Sequence, residues 1–137
     1  MSVMTALHSA AIPVTIGFVV AAGPCAAQHR SYADALEQAS ANTSTPSGHQ
    51  YEMTKFTPYH EEHDAKALQA CFARVPNPDP APFTFIIVLD ARGKPQDFYV
   101  DRSTNIAECL RAAVLRDTFP PPPFAPFYQA VEMTFSE

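Results

Sequence analysis

The stretch Phe83-Thr84-Phe85-Ile86-Ile87-Val88-Leu89, followed by Asp90-Ala91-Arg92-Gly93-Lys94, decides the fold class of this chain. Residues 83–89 are apolar at nearly every position and rich in β-branched and aromatic side chains, which is typical of a central strand. Gly93 can supply the positive φ that a tight turn requires. Phe98 and Val100 then alternate with polar neighbours, so the stretch predicts a β-hairpin.

An amphipathic helix is expected before this hairpin, over residues 58–74. Thr57 stands where an N-cap would be, and Pro58 suits the first helical position because its missing N–H costs nothing there. The apolar positions that recur at helical spacing are Leu68, Cys71, Phe72 and Val75.

A second helix is expected after the hairpin, over residues 106–117. Asn105 and Glu108 have the spacing of a capping box, and Ser103-Thr104 suits a helix cap better than a nucleophile, since no histidine follows Phe83. The apolar stripe of this helix consists of Ile106, Cys109, Leu110, Ala113 and Val114.

The C-terminal segment predicts a bend and a closing strand. Residues 119–126 include five prolines and cannot continue a helix or a strand. Val131, Met133 and Phe135 then alternate with polar residues, as in a strand with one solvated face. The expected class is therefore α+β: a small antiparallel sheet of three or four strands with two helices packed on one face. Residues 49–56 are the candidate fourth strand, because Tyr51, Met53 and Lys55 alternate with Glu52 and Thr54.

The N-terminus is typical of an exported protein. All 9 Lys and Arg residues and all 14 Asp and Glu residues follow Gln28, and the apolar run over residues 10–20 is too short to span a bilayer. We expect residues 1–27 to be a signal peptide cleaved after Ala27. Lipid attachment at Cys25 is the alternative, although Pro24 fits such a site poorly. The expected organisation continues with an N-terminal segment over 28–57, which contains a short helix and a polar linker over residues 40–48, and with the α+β domain over 58–137.

Export would leave Cys71 and Cys109 as the two cysteines of the mature chain. An oxidising compartment favours a disulfide for an even count. Both lie on the apolar stripes of their predicted helices, where two helices on one sheet face could be joined, so the bond is expected to be structural. A redox-active pair is disfavoured because no Cys-x-x-Cys motif is present.

The order helix, strand, glycine turn, strand, helix, proline bend and strand resembles the C-terminal domain of TonB and its relatives. The matching segments are residues 88–94 at the hairpin turn, 100–103 before the second helix, 119–121 at the bend and 131–135 in the closing strand. The paired cysteines are similar to those of the related domain at the end of AgmX and PglI gliding-motility proteins.

That resemblance implies a non-enzymatic, periplasmic or secreted binding module without a cofactor. Its partner would be a cell-envelope protein that adds a strand to the sheet edge, here the closing strand with Ala130, Val131, Glu132, Met133 and Thr134. Neither a transmembrane anchor nor a spacer long enough to cross a periplasm is expected, so this is not a complete energy transducer. A periplasmic inhibitor or immunity protein on the same scaffold is an open alternative.

Other classes of function find less support. A net charge of -5 with scattered cations disfavours nucleic acid as a partner. A small secreted metal-dependent factor would use His60 and His63, with His49 as a candidate third ligand. Asp64 occupies the i+4 position at which a zinc-protease helix has its second histidine, so a solvated helix turn is the preferred interpretation. An exposed patch at Phe124, Phe127 and Tyr128 would provide another interaction surface.

Overall fold

The computed structural model describes residues 30–136. The predicted signal peptide, with Cys25 and Ala27, lies outside the described residues. The elements are α1 (Tyr32–Ser44), α2 (Pro46–Tyr51), a π-helical turn (Glu52–Phe56), α3 (Thr57–Arg74), β1 (Phe83–Leu89), β2 (Pro95–Val100), α4 (Asn105–Val114) and β3 (Phe127–Met133).

The three strands form an antiparallel sheet in the order β2-β1-β3, which confirms the predicted α+β class. The hairpin between β1 and β2 turns at Gly93, whose φ is +82° and whose N–H donates to the Asp90 carbonyl. A Cβ at Gly93 would lie 1.9 Å from the Phe119 carbonyl oxygen. Glycine is therefore required both for the turn and for the close approach of the proline bend.

The helices α3 and α4 cover one face of the sheet, as the sequence predicts. Their buried side chains meet alternate residues of β1, together with residues of β2 and β3, in the main core. Its largest fully buried members are Phe56, Phe83, Phe85, Ile87, Leu89, Ile106, Leu110, Val114, Phe119 and Phe127. This face therefore carries most of the apolar burial that stabilises the fold.

The opposite face of the sheet is covered by α1. Ala35 and Ala39 of this helix pack against Ile86, Val88 and Tyr128 in a second, smaller core. The sequence predicts only a short helix here, whereas the observed helix has 13 residues and a capping box between Ser31 and Asp34. Because both sheet faces are covered, β1 is apolar at consecutive positions.

The predicted linker over residues 40–48 and the candidate fourth strand over 49–56 are both wrong. These residues complete α1, form α2, which begins at the Thr45 cap, and continue into the π-helical turn. Tyr51 and Phe56 are buried, while Met53 between them is 58% exposed. Burial at a spacing of five fits a π turn and not the alternation of a strand.

Three predicted element boundaries also shift. The helix that contains residues 58–74 has no side-chain cap at Thr57, because the chain already enters it from the π turn. The N-cap of α4 is Thr104 and not Asn105: its hydroxyl accepts from the Ala107 N–H at 3.0 Å, and α4 ends at Val114. The closing strand spans 127–133. Thr134 and Phe135 follow it, because β1 begins at Phe83, which is the partner of Met133.

Candidate binding edge

Among residues 30–136, the strand β3 pairs with β1 alone and forms one edge of the sheet. Antiparallel pairing alternates residues whose backbone groups face the neighbour with residues whose backbone groups face away. The Tyr128 N–H donates to Asn42 Oδ1 at 2.8 Å and so faces away from β1. By alternation, the backbone groups of Ala130 and Glu132 also face away from β1.

The outer edge of β3 is covered at its start and open at its end. Asn42 Oδ1 accepts the Tyr128 N–H, and Gln129 Nε2 donates to the Ala130 carbonyl at 3.1 Å. Within residues 30–136, the N–H groups of Ala130 and Glu132 have no such partner. The open segment, which we define as residues 130–134, is therefore a template for a further strand.

The other sheet edge, formed by β2, carries features that discourage pairing. Pro95 has no N–H, and Asp97 uses Oδ1 to accept the Phe98 N–H at 2.9 Å. Proline and charged side chains on an edge are common means of preventing strand addition. The two edges therefore differ in chemistry, and β3 is the better acceptor.

Two recesses flank the open segment on opposite sides of the sheet. A polar recess of about 280 Å³ contains Glu132, Asp101 and Arg102 and lies beside Thr84, the cross-strand partner of Glu132. An apolar recess of about 480 Å³ is lined by Phe72, Pro80, Thr134, Phe135 and Ser136. An added strand would meet a charged environment on one side and an apolar one on the other.

Gln129 lies at the point where the edge changes from covered to open. Its side chain is buried, and Nε2 donates to Glu52 Oε1 at 2.8 Å, which fixes the amide between β3 and the π turn. The Oε1 atom has no hydrogen-bond partner among the described residues. The π turn is therefore coupled to the edge through Glu52.

The two candidate metal ligands are each engaged elsewhere. The Nδ1 atom of His60 bonds to the buried carboxylate of Asp64, and its ring stacks on Phe56 with centroids 5.8 Å apart. His63 donates from Nδ1 to the Tyr59 carbonyl at 3.0 Å and stacks on the Tyr59 ring. Across residues 30–136, no group of three His, Cys, Asp or Glu residues could hold a metal ion.

Two tyrosines tie the helical layer to the segment that leads into β3. The Tyr51 hydroxyl donates to the Pro120 carbonyl at 2.7 Å, and burial raises the pKa of Tyr51 well above its usual value. The Tyr59 hydroxyl donates to Asp117 Oδ1 at 2.6 Å; burial, followed by the bond to this carboxylate, raises the pKa of Tyr59. Both hydroxyls therefore remain protonated donors at neutral pH.

The predicted disulfide between Cys71 and Cys109 is present and joins α3 to α4. The Cα atoms of the two residues are 5.8 Å apart. Cys71 is buried in the main core, and Cys109 is half-buried beside Arg74, whose Nη2 lies 3.2 Å from its sulfur. The bond thus fastens the two helices on one face of the sheet.

The structure brings together some predicted candidates and separates others. Ala130 to Thr134 lie at the open edge, whereas the aromatic patch is not exposed, since Phe127 and Tyr128 are buried. Ser103 donates to the Glu108 carboxylate at 2.9 Å, beside Thr104, which is the N-cap of α4.

No family model, curated protein or solved structure matches the chain. Within residues 30–136, no helix is both long and apolar enough to cross a bilayer.

Sequence reasoning missed Asn42, which controls how much of the edge is open. It shares one buried helical stripe with Ala35 and Ala39, at spacings of four and three. That pattern could have extended the predicted helix through residue 42. Its bond to Tyr128, however, joins residues 86 positions apart and leaves no local signal.

Proposed function

We propose that this chain is a non-enzymatic binding module of the cell envelope, stabilised by its disulfide, which takes an extended segment of a partner onto residues 130–134. The observation that carries the proposal is the pair of N–H groups at Ala130 and Glu132, which point away from β1 and have no partner among the described residues. Main-chain hydrogen bonds of this kind give strand addition most of its affinity.

The distribution of covered surfaces supports this assignment. Helices cover both faces of the sheet, and the aromatic residues of the proline bend are buried or half-buried. Within the described part of the chain, neither the sheet faces nor the bend therefore offers a broad apolar patch. The edge of β2 is protected by Pro95 and Asp97. The end of β3 combines backbone donors that have no partner among residues 30–136 with two adjoining recesses, which a bound segment could use for specificity.

The proposed compartment is the periplasm or the extracellular space. A disulfide between helices is typical of proteins that fold under oxidising conditions. The resemblance to TonB C-terminal domains points to the same compartment and to a cell-envelope protein as the partner. The proposal assigns no catalytic role to any residue.

The test is a selection of phage-displayed random decapeptides on the oxidised protein, followed by titration of the ¹⁵N-labelled protein with a selected peptide. We expect chemical-shift changes and slower amide exchange at Ala130 and Glu132. Glu132→Pro removes an edge N–H outside the β1 ladder, so it should weaken binding roughly fivefold or more without unfolding the sheet. Glu132→Ala keeps the N–H and serves as the matched control.

Two results would contradict the proposal. One is a peptide whose contacts map away from residues 130–134. The other is a folded Glu132→Pro variant that binds as tightly as Glu132→Ala, because the N–H would then make no contribution.

A further inference from the structure

The charge of Glu132 narrows the chemistry of the segment that could bind at the open edge. Glu132 is exposed at the midpoint of residues 130–134, and within residues 30–136 it has no cationic partner within 4.0 Å. The recess beside it also contains Asp101 and Arg102, so two carboxylates face one guanidinium. A lysine or arginine opposite Glu132 would balance this charge.

A second copy of the chain is a poor occupant of the same edge. If two copies paired antiparallel about the midpoint of the open segment, Glu132 would lie directly opposite the Glu132 of the other copy. Like charges directly opposite each other on neighbouring strands destabilise pairing. Extension of the pairing toward Tyr128 is hindered because Asn42 already occupies that N–H. The edge therefore favours a strand from a different protein, with a lysine or arginine opposite Glu132.

The apolar recess determines which type of side chain suits a second position of the added strand. Side chains alternate between the two faces of a sheet, and Glu132 lies on the same face as Thr84, whereas Phe135 packs against Phe72 and Phe83 on the face of α3. In an antiparallel strand that runs one residue past the open segment, the residue opposite Phe135 precedes the residue opposite Glu132 by three positions. Its side chain would point to the face that contains the apolar recess.

We infer that the open segment binds an antiparallel strand with the pattern large apolar, any, any, lysine or arginine. The basic side chain lies against Glu132 and Asp101, and the apolar side chain enters the recess at Phe72 and Phe135. Antiparallel addition continues the pairing of this sheet and is the more stable form for a few residues. This inference rests on the proposed function, since it presupposes that a strand adds at this edge.

The probes are four terminally blocked heptapeptides, titrated against the oxidised, ¹⁵N-labelled protein. The matching peptide is Thr-Leu-Thr-Val-Lys-Val-Thr. The second has glutamate for lysine, the third has alanine for leucine, and the fourth is the reversed sequence, which has the same composition. We expect the matching peptide to bind roughly five- to twentyfold more tightly than the glutamate peptide, and also more tightly than the other two.

A charge reversal in the protein provides the reciprocal test. Glu132→Lys should exchange the preference, so that the glutamate peptide becomes the tighter ligand, while Glu61→Lys, at an exposed position on α3, should leave the preference unchanged. Equal binding of the lysine and glutamate peptides at residues 130–134 would overturn this inference and leave strand addition intact. Failure of all four peptides together with a failed phage selection would overturn both. A dimer with protected Ala130 and Glu132 amides would also overturn the inference, because a second copy of the chain would then occupy the edge.

Discussion

Replacing Asn42 with alanine tests whether α1 is an integral part of the fold. Asn42 is 7% exposed, and its Oδ1 accepts the Tyr128 N–H at 2.8 Å. Alanine removes this acceptor and leaves a buried donor without a partner, which costs about 1–3 kcal/mol. We expect the free energy of unfolding to fall by about 2 kcal/mol, or roughly 9 °C in Tm for a domain near 100 residues.

Urea unfolding of the oxidised protein measures this loss, and amide exchange locates it. The Tyr128 amide should exchange faster in Asn42→Ala. Ser44→Ala is the matched control, because the exposed Ser44 hydroxyl donates to the Ser40 carbonyl of the same helix at 2.6 Å and has no other partner among the described residues. An Asn42→Ala protein within about 0.5 kcal/mol of the wild type, with the Tyr128 amide equally protected, would refute the reasoning.

Two further predictions concern stability. Reduction, or the double substitution Cys71→Ala and Cys109→Ala, should lower the free energy of unfolding by about 4 kcal/mol, because the bond closes a loop with a sequence separation of 38. Urea unfolding with and without reductant checks this, and a loss below about 1 kcal/mol would contradict it. The raised pKa of Tyr51 predicts falling stability above about pH 10, where the unfolded chain loses a proton that the folded chain keeps. This contributes up to about 1.4 kcal/mol per pH unit, so the Tyr51→Phe profile should be flatter than the wild-type profile, and parallel profiles would contradict the assignment.

Features that depend on short-range patterns could be predicted from the sequence. The uninterrupted apolar run over residues 83–89 specifies a central strand, and Gly93 specifies the turn. Cys71 and Cys109 occupy the apolar stripes of their helices, so their pairing could be predicted from periodicity together with the expected export to an oxidising compartment. The strand, the turn and each helical stripe are specified within a single segment, because strand and helix periodicities are local properties.

The N-terminal layer could not be predicted in the same way. The buried stripe of α1 consists of Ala35, Ala39 and Asn42, which carry little hydrophobic signal. Its contribution to the stability of the fold arises from contact with β1 and β3. Likewise, the extent of the open edge depends on a bond between Asn42 and Tyr128 across the whole domain. Tertiary contacts of this kind override local propensity.

The π-helical turn over Glu52–Phe56 sets the rotational phase between α2 and α3. A π turn contains one residue more than an α turn, and each residue of an α-helix advances the side-chain direction by roughly 100°. This extra residue allows Tyr51 and Phe56 to face the same core although they are five positions apart. Shortening the turn by one residue would rotate one helix against the other. Either the Tyr51 hydroxyl would then lose its hydrogen bond to the Pro120 carbonyl, or the Phe56 ring would leave the core.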